Sequence, residues 1–283
     1  MILTNMIQDL ERKETKKESL KDMIREFFFE ERDEPYLTRD RWIRCSKLGY
    51  LCPREEAIAS IHKIIRKDEA NTDLSLVFAT GTALHECLQN LILPKINVLL
   101  GEWVCLGCRE IFGGLQDNKP IWECLVPRPK QCDCGSSEFR YKEQFFLDEE
   151  YRIGGHPDGF LQLPDKEGIG LLEIKSVSPE GSFTARRAPF KKHILQVQTY
   201  LWLTGLPWAS ILYWNKGENS INCFIEHEIL RDEQIIDTIK ETAREIWDAI
   251  DSRILPEREI CATINSPRAR TCQVRDICFG VKK

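Results

Sequence analysis

Two carboxylates and a lysine in the middle of the chain are residue types that bind a divalent metal ion and act on a water beside it. Asp158 follows a short apolar stretch, and Glu173 and Lys175 stand at the end of the next one. Because side chains alternate along a strand, Glu173 and Lys175 share a face and Ile174 is buried opposite. A turn at residues 167–168 would bring Asp158 towards Glu173 across a hairpin. Oxygen ligands of this kind suit Mg²⁺ or Mn²⁺.

Polar residues on two predicted helices flank these acids in sequence. Upstream, Gly81 and His85 lie one helical turn apart, and downstream Gln196 and Tyr200 are spaced at i and i+4. His85 is a second residue type that ligates metals. The elements that must position all of these residues are therefore a helix, a strand hairpin and a second helix.

In this order the motifs G-x-x-x-H, G-x-x-D, E-x-K and Q-x-x-x-Y resemble those of the RecB-like branch of the PD-(D/E)XK nucleases. The resemblance covers roughly residues 41 to 283, apart from an insertion. It implies an α/β fold with a restriction-endonuclease-like core, in which helices flank a mixed central sheet. It also implies a metal-dependent deoxyribonuclease that hydrolyses phosphodiester bonds.

The resemblance assigns a role to each matching residue. The metal ligands would be the side chains of His85, Asp158 and Glu173 and the backbone carbonyl of Ile174. Lys175 would orient or help deprotonate the attacking water. Gln196 and Tyr200 would position the lysine and the DNA backbone.

The resemblance further implies an exonuclease acting on single-stranded DNA with 5′ to 3′ polarity, in recombination, repair or phage DNA metabolism. Two alternatives remain open: a CRISPR adaptation nuclease that trims spacers, and a catalytically inactive DNA-binding module. Phosphate contacts are expected from Arg186, Arg187, Lys191 and Lys192. The aromatic residues Trp202, Trp208, Tyr213 and Trp214 are interpreted as core residues rather than as base-stacking surfaces.

The chain has 12 cysteines, and a clustered set in a reducing compartment indicates metal binding more often than disulfides. Cys105-x2-Cys108 and Cys132-x-Cys134 resemble the two knuckles of a zinc ribbon. Such a module would occupy residues 102–141 and hold structural Zn²⁺ without a core of its own. Cys124 is an alternative ligand.

A second cysteine set joins the two ends of the chain. Its members are Cys52, in a Cys-Pro-Arg context, and Cys261, Cys272 and Cys278. Soft sulfur ligands select iron–sulfur clusters or zinc. The set resembles that of the iron–sulfur subset of RecB-like nucleases, which implies a 4Fe-4S cluster that staples the termini. Cys45 competes with Cys52, and structural zinc is the alternative occupant.

The chain divides into five predicted segments. They are an amphipathic helical segment (1–40), a helical part with the first cluster cysteine (41–101), the inserted module (102–141), the catalytic core (142–230) and a C-terminal helix with a cluster-binding tail (231–283). Helices are expected at about 55–67, 82–93, 193–203 and 235–250, and strands at 144–147, 151–153, 159–163, 169–174, 210–214 and 223–229. The net charge of -5 excludes a polybasic arm protein. The start of the chain is too charged for a signal peptide and no apolar run is membrane-length, so we expect a cytoplasmic protein.

Overall fold

A computed structural model describes residues 20, 42–64, 72–116 and 119–281 of the chain. Apart from residue 20, the helix predicted within residues 1–40 lies outside the described residues. Two compact units are present. The first comprises residues 1–35 and 67–80, of which the described part is mainly the start of one helix, and the second comprises residues 36–66 and 81–283.

The described residues form both helices and strands, and a run of six consecutive strands occupies the middle of the chain. The strands are β1 (Ile43–Arg44), β2 (Leu99–Cys105), β3 (Ile111–Phe112), β4 (Val126–Pro127), β5 (Phe139–Lys142), β6 (Phe146–Asp148), β7 (Ile153–Gly155), β8 (Gly159–Leu161), β9 (Gly170–Val177), β10 (Trp208–Asn215) and β11 (Phe224–Leu230). The helices are α1 (Pro53–Ile61), α2 (Thr72–Cys87), α3 (Ile121–Cys124), α4 (Pro179–Arg187), α5 (Lys191–Thr204), α6 (Glu233–Ser252), α7 (Pro267–Thr271) and α8 (Arg275–Phe279). Two 3-10 helices span Cys45–Tyr50 and Ile221–Cys223, and the π-helical segment Leu88–Ile92 continues α2.

The main sheet of the second unit has the strand order β11-β10-β9-β8-β2-β3, with β4 and β5 also paired to β2. Strands β9 and β10 are parallel, whereas β8 pairs antiparallel with β9 and with β2. The connection from β9 to β10 runs through α4 and α5, as a parallel pair requires. The expectation of a mixed α/β fold is therefore confirmed.

Strand β9 is the central element because nearly every residue along it is buried. It forms the predicted hairpin with β8, and the connection includes Gly168, whose positive φ of 72° suits glycine. One of its faces packs with α5 and α6 and the other with β2 and β5. The strand extends to Val177, so Glu173 and Lys175 lie inside it rather than at its end as the sequence indicated.

The predicted module at residues 102–141 is continuous with the main sheet. Strand β2 pairs with β8 at Leu99–Leu100 and then with β3 and β5 further along. Trp103 is fully buried in a core shared with Leu172 and Ile174. The module thus shares a hydrophobic core with the sheet, in contrast to the coreless module that its cysteines predict.

A second, three-stranded sheet has the order β1-β7-β6. Its Ile43, Phe146 and Ile153 are buried in the core beneath α5, and Tyr200 of α5 belongs to the same core. This sheet leads the chain through β7 into Asp158.

Two helix predictions differ from the structure, and several helices, α4 among them, were not predicted. Helix α1 begins at Pro53 and ends at Ile61, and Lys63 adopts a positive φ of 50° that is incompatible with continuing to residue 67. Helix α2 begins ten residues before Thr82. Helix α4 was not predicted, because its sequence has no apolar periodicity. No helix among the described residues is long and apolar enough to cross a membrane.

Candidate functional site

Asp158 is the centre of a polar cluster at the start of β8. Its Oδ2 accepts a hydrogen bond of 2.5 Å from the backbone N–H of Ile174 on β9, which fixes the carboxylate against the neighbouring strand. Its Oδ1 lies 3.2 Å from Nδ1 of His85 on α2. Burial lowers the pKa of His85, but the hydrogen bond and charge of Asp158 outweigh that effect and raise it overall. The structure thus brings together the predicted histidine and aspartate.

A third potential ligand, Glu143, was not predicted from the sequence. Ligand atoms of His85, Glu143 and Asp158 all lie within 4.8 Å of one another. Gln89 Nε2 donates to Glu143 Oε1 at 2.8 Å and to the backbone carbonyl of Asp158 at 2.7 Å, so one buried amide holds both acids. Glu143 belongs to no motif, and its only sequence signal is its position just before β6.

Glu173 contributes a fully enclosed carboxylate. Its side chain is 1% exposed, and Oε1 pairs with Lys175 Nζ. Its Oε2 is buried without a hydrogen-bond partner among the described residues. Burial, and then the charge of Asp158, raise the pKa of Glu173 to about 8. A buried, unpaired carboxylate oxygen is costly unless a cation or donor satisfies it, so the donor set fits a hard divalent ion.

Lys175 lies on the same face of β9 as Glu173. Burial lowers its pKa, but Glu173 and Asp158 outweigh burial and raise the pKa overall. The ammonium group therefore stays charged at neutral pH. A charged lysine can orient a water and stabilise negative charge at a reacting phosphate, more readily than it can accept a proton.

Gln196 and Tyr200 are buried on the inner face of α5. Tyr200 Oη donates to the backbone carbonyl of His156 at 2.9 Å, and Gln196 Nε2 donates to Tyr200 Oη at 3.4 Å. The pair thus anchors the segment that enters Asp158. Its expected action on Lys175 and on the DNA backbone stays a prediction, as does the role of the Ile174 carbonyl.

Two residues beside Lys175, Tyr213 and His193, are not among the site residues predicted from the sequence. Tyr213 stands opposite Lys175 in the β9–β10 register, and its Oη accepts from the backbone N–H of Phe190 at 3.0 Å. His193 Nδ1 lies 2.9 Å from the same oxygen. Burial and then the positive charges of Lys175 and Lys192 lower the pKa of His193 to about 3, so the ring is neutral. The tautomer of the ring sets the direction of this bond: Tyr213 Oη donates to an unprotonated Nδ1 and accepts from a protonated one.

The four basic residues expected at phosphate differ in their surroundings. Arg186 donates to Glu218 Oε2 at 2.7 Å and to the carbonyl of Asn222 at 2.8 Å. Lys192 Nζ contacts the hydroxyl of Tyr50 and lies 4.9 Å from its ring centroid. Arg187 and Lys191 are exposed.

The aromatic residues interpreted as core occupy the core or its margin. Trp208 and Tyr213 are buried, and Trp202 and Trp214 pack against the two hydrophobic clusters.

The sulfur atoms of the predicted zinc ribbon converge. The four are those of Cys105, Cys108, Cys132 and Cys134, all within 4.8 Å of one another. The Sγ–Sγ distances are 3.6 Å for Cys105–Cys134 and 3.5 Å for Cys108–Cys132. Zn–S bonds of about 2.3 Å in a tetrahedron place sulfurs roughly 3.8 Å apart, so the set fits zinc. Backbone hydrogen bonding at Cys108 lowers the pKa of Cys105. Backbone hydrogen bonding at Cys134 also lowers the pKa of Cys132, but the hydrogen bond to Glu110, burial and the neighbouring cysteines together outweigh it and raise that pKa overall. Cys124 is buried outside this group.

The other four predicted cysteine ligands line a single cavity. They are Cys52, Cys261, Cys272 and Cys278. Arg54, Arg258, Arg268 and Arg275 line the same cavity. Arg54 Nε donates to Cys278 Sγ at 3.3 Å. Glu55 and Glu259 also line the cavity, so four arginines and two glutamates surround the four thiols, and the excess of positive charge fits a cluster whose thiolate ligands are negative. Cys45 is fully buried in the main core and is not among the residues that line the cavity.

Comparisons with known proteins give structural similarities at low identity. No protein-family model matches the chain, and a search of curated proteins gave no significant match. The chain is similar to the alkaline exonuclease LHK-Exo from Laribacter hongkongensis, with 15% identity, a TM-score of 0.45 and coverage of 78% of this chain and 93% of that chain. It is also similar to a phage-related exonuclease from Haemophilus somnus 129PT, with 17% identity, a TM-score of 0.42 and coverage of 75% of this chain and 95% of that chain. The protein SSO0001 has 18% identity and a TM-score of 0.42, with coverage of 94% of this chain and 98% of that chain. Similarities at this level do not assign the chain to a family.

Proposed function

We propose that this protein is a metal-dependent nuclease that hydrolyses phosphodiester bonds in DNA. The observation that carries the proposal is the buried Oε2 of Glu173, which has no hydrogen-bond partner among the described residues. Its carboxylate feels the charges of Asp158 and His85, which converge with Glu143 into one group of potential ligands. A divalent ion held by these residues would act as a Lewis acid and lower the pKa of a bound water. The four-motif resemblance adds the substrate class, because those motifs are typical of nucleases.

Some residues of this chain would bind the metal ion, and others would stabilise charge at the phosphate or hold the ligands in place. His85, Glu143, Asp158 and Glu173 would hold Mg²⁺ or Mn²⁺. Lys175, which stays protonated, would orient the water and stabilise charge on the scissile phosphate. Tyr200 would keep the segment before Asp158 in place through its hydrogen bond to the carbonyl of His156.

The finer parts of the proposal come from the resemblance. They are a preference for single-stranded DNA, 5′ to 3′ exonucleolytic polarity, a 4Fe-4S cluster at Cys52, Cys261, Cys272 and Cys278, and structural zinc at Cys105, Cys108, Cys132 and Cys134. Exposed Arg187 and Lys191, which lie between β9 and the motif residues of α5, are the basic residues best placed to contact phosphate.

Oligonucleotides labelled at the 5′ or the 3′ end test activity, strand preference and polarity together. We expect cleavage of single-stranded DNA with Mg²⁺ or Mn²⁺, no cleavage with EDTA, and mononucleotide release from the 5′ end. Asp158→Asn and Lys175→Ala should each lose about 10²–10⁴-fold in rate. Asp165→Asn and Lys216→Ala, at exposed positions, are the matched controls.

The proposal fails if Asp158→Asn and Lys175→Ala cleave as fast as the wild type, because the activity then comes from another site or a contaminant. Binding without cleavage under every metal condition would favour the DNA-binding module instead.

A further inference from the structure

The three-stranded sheet β1-β7-β6 has one buried face and one exposed aromatic face. Ile43, Phe146 and Ile153 are buried beneath it. On the other face, Leu147 of β6 is 41% exposed, and Phe145 and His156, which flank β6 and β7, are exposed as well. A sheet with one solvated face normally carries polar residues on that face, so an apolar and aromatic outer face requires an explanation.

The exposed rings form a continuous array. The centroid of Phe145 lies 5.3 Å from that of half-buried Trp42 and 4.9 Å from that of His156. Both distances are typical of interacting aromatic pairs. Trp42 precedes β1 and Phe145 precedes β6, so the two rings approach from opposite edges of the sheet with β7 between them.

Gly154 on β7 makes this array possible. A Cβ at that position would come within 2.9 Å of Cζ of Phe145. Any other residue there would push the phenyl ring off the strand and away from Trp42. The glycine thus leaves room for a flat aromatic surface above β7.

Two chain segments tie the array to the candidate metal site. Phe145 follows Glu143 by two residues, and His156 precedes Asp158 by two residues. Two residues span at most about 7 Å, which is close to the distance between neighbouring phosphates of an extended DNA strand. A phosphate bound at the acids would therefore place an adjacent nucleotide next to the rings.

We propose that Trp42, Phe145 and His156 form a stacking surface for an unpaired nucleobase next to the scissile phosphate. The proposal rests on the nuclease function and adds the element that selects single-stranded DNA. Bases stack on aromatic side chains without regard to sequence, and only a base that is not paired in a duplex can leave its neighbours to do so.

A binding experiment with abasic oligonucleotides tests the surface apart from catalysis. Fluorescence anisotropy would follow binding of a labelled single strand in Ca²⁺, with one abasic position moved along the strand. In the wild type we expect one position, near the bound end, to weaken binding roughly tenfold when abasic. Phe145→Leu keeps apolar bulk without a ring. This variant should bind the intact strand more weakly by a similar factor, and an abasic site at that position should not weaken its binding further.

Two variants serve as controls. Phe145→Trp should restore binding because it restores a ring, and Trp122→Ala removes an exposed aromatic residue from the 102–141 module and should change nothing. Equal binding by the wild type and Phe145→Leu, or an abasic penalty that persists in Phe145→Leu, would overturn the stacking surface. If DNA is still cleaved in that case, the proposed function stands. If the wild type neither binds nor cleaves DNA, both fail.

Discussion

At the residue scale, the candidate metal site depends on a carboxylate that no motif marks. Glu143 reaches the site only because β5 and β6 return the chain to Asp158, and Gln89 then holds both acids. Asp158, Glu173 and Lys175 could be predicted because they lie within one hairpin. Glu143 could not, since its approach depends on the path of a separate segment.

We expect Glu143→Gln to lower the rate of DNA cleavage by about 100-fold or more and to raise the Mn²⁺ concentration needed for half-maximal activity. The amide keeps the shape of the side chain but removes a negative charge from the ligand set, and even residues that only support ligands typically cost 10–100-fold in metal affinity or activity. Mn²⁺ titrations of activity, with electron paramagnetic resonance of bound Mn²⁺, measure both effects. Glu149→Gln, at an exposed position, should behave as the wild type. An unchanged Mn²⁺ requirement in Glu143→Gln would remove Glu143 from the ligand set.

His193 provides a test that depends on pH rather than on metal. Its pKa is about 3 in the native protein, because burial and the charges of Lys175 and Lys192 disfavour the imidazolium. The unfolded chain takes up this proton near pH 6.5, so the unfolded state binds more protons below that pH and stability falls as the pH decreases. Above pH 6.5 His193 is neutral in both states and no longer changes the free energy of unfolding with pH.

We therefore expect His193→Gln to gain stability relative to the wild type by roughly 1 kcal/mol per pH unit as the pH decreases from 6.5 to 5. Urea denaturation at several pH values gives the two free energies of unfolding. His62→Gln, at an exposed histidine, is the matched control variant. A difference between His193→Gln and the wild type that is independent of pH would mean that the native ring is protonated like the unfolded one.

At the element scale, β2 belongs to both the main sheet and the cysteine module. Leu99 pairs with Leu161 of β8, and Cys105, the last residue of the same strand, is one of the four converging cysteines. Fixing Cys105 should therefore stabilise the β2 end of the sheet as well as the module.

We expect the isolated protein to hold one zinc ion and Cys108→Ser to lose it, with a decrease in melting temperature of about 5 °C or more. Cys108 is exposed, so the substitution removes a ligand without opening a cavity in the core. Zinc content by mass spectrometry and thermal unfolding are the measurements. Cys124→Ala should keep its zinc, and zinc retained by Cys108→Ser would exclude the four-cysteine site.

Sequence periodicity predicts the elements that bury a regular set of side chains and misses those that do not. The apolar run of β9 and the amphipathic pattern of α6 were sufficient to predict both elements, because both bury a regular set of side chains. Helix α4 has Gly181 and Ser182 and no apolar stripe, and its signals are the N-cap Ser178 and Pro179 in the first turn. The module's shared core could not be predicted, since Trp103 is buried by Leu172 and Ile174, about 70 residues away in sequence.

At the scale of the whole molecule, the cysteine cavity connects the two ends of the second unit. Helix α1 packs against α6, and the short helix α8 contacts α1. The tail after α6 has few buried residues, among them Ala269 and Val274. So little apolar burial leaves the tail dependent on other contacts, such as the ion pair of Arg268 with Glu55 at 3.0 Å. A cluster bound by Cys52 and the three tail cysteines would replace the missing core.

We expect protein purified without oxygen to be brown, with absorption near ~400 nm and about four irons per chain. Cys272→Ser should lose the colour, and Cys45→Ala should keep it because Cys45 lies in the main core. Limited proteolysis measures the effect of the cluster on the tail. Trypsin should cut the tail at Arg268 or Arg270 in Cys272→Ser and should cut it much more slowly in the wild type. The reason is that the cluster closes a loop of over 200 residues and so holds the tail in place. If the wild-type protein is colourless and contains zinc at this site, the four cysteines bind zinc rather than an iron–sulfur cluster. Equal cleavage of both proteins would show that the tail is held by its packing and ion pairs alone.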